Sequence, residues 1–133
     1  MELARNIYAV TKDFPADERF GLTNQLRRAV VSVPSNIAEG AARGGAVEFA
    51  RFLHIALGSL AEVETQVELA HDLRYLSDSE SLLVLVGEIR MLMIGLIRKL
   101  RDTSRSSSVM DECPNYSVTD SPVTHYSSPV TTP

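Results

Sequence analysis

Apolar residues recur through the first hundred positions at steps of three and four, the spacing of one face of an α-helix. Leu3, Ile7, Val10 and Phe14 make a first stripe, which predicts a helix over 2–13 that stops at Pro15 and Asp17. Leu22, Leu26, Ala29, Val33 and Ile37 make a second over 18–42. Gly44 and Gly45 break the pattern, and Phe49, Phe52, Ala56, Leu60, Val63, Val67 and Ala70 then predict a third helix over 46–74, about 40 Å long at 1.5 Å per residue. A fourth carries Leu82, Val86, Ile89, Met93, Leu96 and Leu100. It opens on Ser77-Asp78-Ser79-Glu80, where Ser77 and Glu80 can cap each other's free amides. It should end near Asp102, after Arg98, Lys99 and Arg101 have placed cations at the negative end of the helix dipole.

Steps alternating between three and four average 3.5 residues, the seam of a left-handed bundle, and short connections make consecutive helices antiparallel. The expected fold is therefore all-α, an antiparallel up-down-up-down four-helix bundle over residues 1–102. Pro34 lies inside the second helix, where it removes a backbone hydrogen bond and crowds the preceding turn, so a kink is expected near Val30 to Pro34. The last two helices carry a second apolar edge, Ala50, Leu57 and Ala61 on one and Leu85, Met91 and Leu92 on the other. Apolar surface beyond what one core uses predicts a homo-oligomer.

Composition adds the domain boundary and the compartment. The 133 residues suit one domain, and 44% hydrophobic residues supply a core. After Asp102 the apolar period ends and a Ser/Thr/Pro-rich segment holds four of the six prolines, so 103–133 is expected to be a disordered tail. The start of the chain has no secretory pattern, and the most apolar run, Leu82 to Ile97, is broken by Glu88 and Arg90. A cytoplasmic protein with no membrane contact is expected. The one cysteine, Cys113, provides neither a disulfide framework nor a thiolate cluster. A net charge of −4 with a pI near 5.3 argues against bulk electrostatic binding of nucleic acid and limits any basic surface to a local patch.

Few residues offer chemistry. Glu68 and His71 have the Glu-x-x-His step of a di-iron bundle, but neither other histidine repeats it, and a solvated pair is the simpler reading. Should the chain be an enzyme, metal chemistry on Glu68 and His71 is the leading alternative. Arg51 and His54 are three residues apart, too close for the arginine and histidine pairing of an RNA-cleaving helical domain, and His54 is expected as a hydrogen-bonded residue at the core edge. No histidine is placed by sequence to activate Ser32, Ser35 or Ser59. Arginine outnumbers lysine 11 to 2. Arg27, Arg28, Arg43 and Arg51 flank the kinked helix and the glycine turn. They are candidates for an RNA or DNA contact, or for ion pairs with Glu39, Glu48, Glu62 or Glu64. No catalytic residue, metal ligand or cofactor signature emerges.

One stretch carries more information than its period. Gln25-Leu26-Arg27-Arg28-Ala29-Val30-Val31-Ser32-Val33-Pro34-Ser35-Asn36-Ile37-Ala38-Glu39-Gly40, then Arg43, then the run from Phe49 to Glu62 including Gly58-Ser59, resembles the four-helix-bundle proteins encoded by intervening sequences in bacterial 23S ribosomal RNA genes. The resemblance extends from Leu3 to about Arg101. It implies a four-helix bundle that assembles as a homopentamer, with no known catalytic activity and no cofactor. The accessory variability determinant of diversity-generating retroelements looks like a relative, and it is thought to bind nucleic acid and a reverse transcriptase. Its surface is basic where this chain is acidic, and the Ser/Thr/Pro tail is not part of the family pattern. The partners so implied are RNA, DNA or a protein. The motif also has a mechanical reading. Pro34 frees a carbonyl, Ser32, Ser35 and Asn36 can bond backbone groups near a kink, Glu39 and Arg43 are spaced as a helical ion pair, and Gly58-Ser59 permits close approach of a helix. Together with Gly40, these residues are expected to fix bundle and oligomer geometry.

Overall fold

The computed structural model describes residues 1–110, with side chains to residue 106. The expected tail from 111 onward and Cys113 lie outside the described residues. Four helices follow one another: α1 (Glu2–Val10), α2 (Leu22–Ala42), α3 (Ala46–Asp72) and α4 (Glu80–Met110). Two single 3₁₀ turns, Thr11–Asp13 and Ala16–Glu18, connect α1 to α2. No strand occurs among the described residues, and none of the helices is long and apolar enough to cross a membrane.

The helix ends follow local hydrogen bonding. The buried Thr11 hydroxyl donates to the Ile7 carbonyl at 2.8 Å and accepts from Arg27 Nε at 2.8 Å, which closes α1 and ties it to α2. Phe14 then turns extended ahead of Pro15. α2 begins at Leu22 rather than at 18, because the Glu18 carboxylate, still in the connection, accepts the Leu22 amide at 2.9 Å and so caps the helix. The expected reciprocal cap between Ser77 and Glu80 is not the one used. α4 starts at Glu80, whose amide donates to Asp78 Oδ1 at 2.9 Å, and Ser77 lies outside the helix. Nor does α4 stop at Asp102. The Thr103 and Ser104 hydroxyls donate to the Lys99 and Leu100 carbonyls, both at 3.0 Å, and the helix continues to Met110.

Packing follows the stripes. Leu53, Ala56, Leu60, Val63, Val67 and Ala70 put α3 at the centre, where all six are fully buried. Leu3 and Ile7 of α1, Leu26, Val30 and Val33 of α2, and Leu82, Val86, Met93 and Ile97 of α4 close around it. Contacts join α1 to α2, α2 to α3, α3 to α4 and α1 to α4, so the four helices share one core. A half-buried ion pair between Glu64 and Arg90 pins α3 to α4, and the Glu64 hydrogen bond raises the pKa of Arg90 further. α1 is far shorter than its neighbours. Its first turn lies against Val33, Pro34, Ile37 and Ile89, and beyond that level the other three helices pack without it.

α3 ends in a tight reversal: the Arg74 amide donates to the His71 carbonyl and the Tyr75 amide to the Ala70 carbonyl, both at 2.9 Å. Arg74 takes the left-handed position of this motif with φ of 61° and is the one non-glycine residue with positive φ among the described residues. Glycine fits that conformation without the crowding a Cβ brings. Arg74→Gly should therefore leave stability unchanged or raise it by up to about 1 kcal/mol, while the β-branched Arg74→Val should lower it. Urea denaturation of both variants checks the sign.

Candidate functional site

The motif residues lie on facing sides of α2 and α3. Ser32 Oγ and Ser59 Oγ share a hydrogen bond of 2.9 Å between the two helices. Asn36 Nδ2 donates to the Ser32 carbonyl at 2.9 Å and to Ser32 Oγ at 3.0 Å, holding that hydroxyl in place. The Ser35 hydroxyl donates to the Val31 carbonyl at 2.8 Å, so two successive carbonyls just before Pro34 accept side-chain donors from just after it. One turn further on, Gly40 is buried against α3. A Cβ there would stand 2.5 Å from Phe52 Cβ and 3.1 Å from a ring carbon of Phe49. Glu39 pairs with Arg43 at 2.7 Å, in the order expected. Gly58 departs from expectation: nothing lies within 4 Å of a Cβ built on it, so it makes no close approach inside the chain, and Ser59 alone meets α2.

The four candidate arginines do not form one patch. Arg27 is committed to Thr11 and lies 4.8 Å over the Tyr8 ring. Arg43 and Arg51 stack on Phe52 at 4.8 and 4.9 Å, and Arg51 also pairs with Glu48 at 3.2 Å. Arg28 is exposed and has no ion pair among the described residues. It lies 15 residues, roughly 22 Å along the helix, from Arg43. Two of the four thus take the glutamate partners the sequence suggested, while Glu64 goes to Arg90.

Glu68 and His71 are both exposed, and among the described residues no three His, Cys, Asp or Glu side chains converge as metal ligands. His54, expected at the core edge, is exposed and lines a hollow. The hollow holds about 360 Å³ between the start of α3 and the end of α4. Ala46, Ala50 and Ile97 give it an apolar floor, and Arg101 and Arg105 stand at its rim.

Reading the sequence one helix at a time hid how charge is distributed. At the end formed by the α1/α2 and α3/α4 connections, Asp13, Asp17, Glu18, Asp72, Asp78 and Glu80 outnumber Lys12, Arg19 and Arg74 two to one. At the opposite end Arg43, Arg51, Arg98, Lys99, Arg101 and Arg105 outnumber Glu39, Glu48 and Asp102 by the same ratio. A tally by segment would have found this polarity, since the last turns of α4 are basic and both connections at the other end are acidic. Three further apolar side chains stand out on α4, Val84 at 56%, Met91 at 69% and Leu92 at 75% exposure. Of the expected surplus edge, Leu57 and Leu85 instead pack against the core.

Two outcomes test this geometry. Gly40→Ala should cost about 1–3 kcal/mol, because α2 and α3 must part to admit one methyl group. A thermal melt matching the parent would remove Gly40 as the spacing residue. At the acidic end the Tyr75 hydroxyl donates to Glu18 Oε1 at 3.3 Å, and partial burial together with that carboxylate raises its pKa from 10.0. The folded chain thus holds this proton more tightly than the unfolded chain. Its stabilising effect is complete below the ordinary value and is lost as pH rises through the folded one. Tyr75→Phe should flatten that alkaline loss, measured by urea midpoints between about pH 9 and 11.

Comparison with known proteins places these features in a family. A crystal structure of a protein with unknown function from the S23 ribosomal protein family of Bacteroides thetaiotaomicron is similar at 28% identity and a TM-score of 0.66, covering 72% of this chain and 92% of that one. No curated protein matches. Residues 1–95, which include α1 to α3, the Ser32–Ser59 hydrogen bond and Gly40, match the model of the 23S rRNA-intervening sequence protein. The chain belongs to the 23S rRNA-intervening sequence protein family.

Proposed function

We propose that this protein is a non-catalytic, homo-oligomeric scaffold of the cytoplasm, an up-down-up-down bundle bent at Pro34 that assembles side by side as a pentamer and associates with RNA or a nucleic-acid-handling protein. The observation that carries the reading is the exposed apolar strip on α4. Val84 and Met91 are seven residues apart and so share a helix face, and Leu92 adjoins them. Such a strip is what a side-by-side neighbour covers.

Other features support the remaining parts. Ser32 meets Ser59 while Gly40, further along α2, meets Phe52, earlier on α3, the order that antiparallel neighbours give. Glu64 meets Arg90 while Ala46, earlier on α3, lines the same hollow as Arg101, later on α4. Pro34 has no amide for the Val30 carbonyl, which favours a bend there. The candidate catalytic pairs are spent or scattered: Arg51 is held by Glu48 and Phe52, and Glu68 and His71 face outward. The family's name carries an RNA context, and Arg28, Arg98 and Lys99 offer cations with no ion pair among the described residues.

Light scattering on the purified protein, with and without ribosomal RNA, tests the reading. The expected mass is that of five chains, growing when RNA is added at about 50 mM salt and less so at about 200 mM. The double variant Met91→Glu/Leu92→Glu should yield a smaller species with unchanged helical circular dichroism. A parent protein that is monomeric would sink the scaffold. A pentamer indifferent to RNA would move the partner from RNA to protein.

A further inference from the structure

The two ends of the bundle differ in shape as well as in charge. At the acidic end Phe20 projects from the turn before α2 with 84% of its surface exposed, among the most exposed large apolar side chains of the described chain. Arg19 lies 5.6 Å over one face of its ring and leaves the other open, and Asp17 and Glu18 precede it in the same turn. At the basic end the hollow between α3 and α4 has its floor of Ala46, Ala50 and Ile97 under Arg101 and Arg105. Its volume of about 360 Å³ leaves room for a phenyl ring.

We propose that the hollow at the basic end receives Phe20 of a second copy of this chain, so that bundles join head to tail. Three complementarities meet in one contact: an exposed ring and an apolar floor, the exposed Asp17 carboxylate near the ring and guanidinium groups around the floor, and opposite net charge on the two ends. A heterologous contact of this kind uses different surfaces on the two partners and is free to repeat, so it builds chains rather than closed pairs unless rotation closes them. It is separate from the strip of Val84, Met91 and Leu92, which lies along the side of α4, and it does not depend on that strip being an interface. Ionic attraction between exposed groups is screened beyond about 8 Å at physiological salt, so the contact is weak and salt-sensitive, and Phe20 supplies the part that salt does not remove.

Sedimentation velocity on the full chain tests the contact. At about 30 mM salt, where screening extends over roughly 20 Å, the mean mass should rise with protein concentration above that of the high-salt species, and it should fall back at about 500 mM. Phe20→Ser should weaken this growth about tenfold or more, the loss expected for an apolar ring no longer buried, while leaving the high-salt mass unchanged. Arg101→Glu should do the same from the other side. Phe20→Ser keeps an intact hollow and Arg101→Glu keeps an intact ring, so a mixture of the two should regain one contact and show a mass neither reaches alone. Mass independent of salt and concentration in the parent protein overturns the proposal. So does growth that survives Phe20→Ser, which would assign the basic end to another surface or to a bound polyanion.

Discussion

The separation between α2 and α3 governs the rest of the structure. Two points set it. Ser32 and Ser59 meet through hydroxyls that reach only 2.9 Å, and eight residues on, about 12 Å along the axis, Gly40 lets the backbone of α2 settle against Phe52. One contact is polar and directional, the other steric. A slip of one residue would break the first and drive a side chain into the second, so the pair fixes register as well as distance. Asn36 keeps the Ser32 hydroxyl oriented, which matters because a half-buried hydroxyl without a partner would cost more than it contributes. α3 can then present its stripe to α1, α2 and α4 together.

This constraint also accounts for where the arginines go. With α2 drawn close to α3, Phe52 lies near the surface between them, and both Arg43 and Arg51 stack on it. Guanidinium groups held against a ring and paired to Glu39 and Glu48 are already partly satisfied, which leaves less of their charge for a partner. Of the cations without an ion pair among the described residues, Arg28 stays on α2, and Arg98 and Lys99 lie together near the end of α4. An acidic chain thus carries a basic end, which a net charge of −4 conceals.

Much of the fold was legible because the apolar period is regular. Leu3, Ile7, Leu26, Val33, Leu60, Val67, Leu82 and Val86 are all buried where their stripes put them. The helix ends were less legible for a specific reason. Ser77, Asp78, Ser79 and Glu80 can each accept or offer a capping bond, and spacing does not choose among neighbouring registers. Glu18 acts four residues ahead of the helix it caps, and α4 runs on through Thr103 and Ser104, whose hydroxyls bond back to its own carbonyls. Around Pro34 the sequence suggested side chains bonding nearby backbone groups, and Ser35 and Asn36 do so, while Gly58 marks the limit, because a glycine signals a close approach without saying whether the neighbour is in the same chain. The hollow and the exposed Phe20 could not be read at all, since each depends on which loop meets which helix end.

The brevity of α1 has a dynamic consequence. Nine residues cover only the part of the bundle near the acidic end, so the core there is closed by four helices and at the basic end by three. Around Ile97, Arg101 and Ser104, α4 lies beside Ala46 and Ala50 of α3, at a level the short α1 does not reach. Opening events too small to unfold the molecule will therefore start at that end and die out toward Tyr75 and Phe14, whose rings pack 5.8 Å apart at the other. The basic surface thus sits at the end where three helices rather than four close the core.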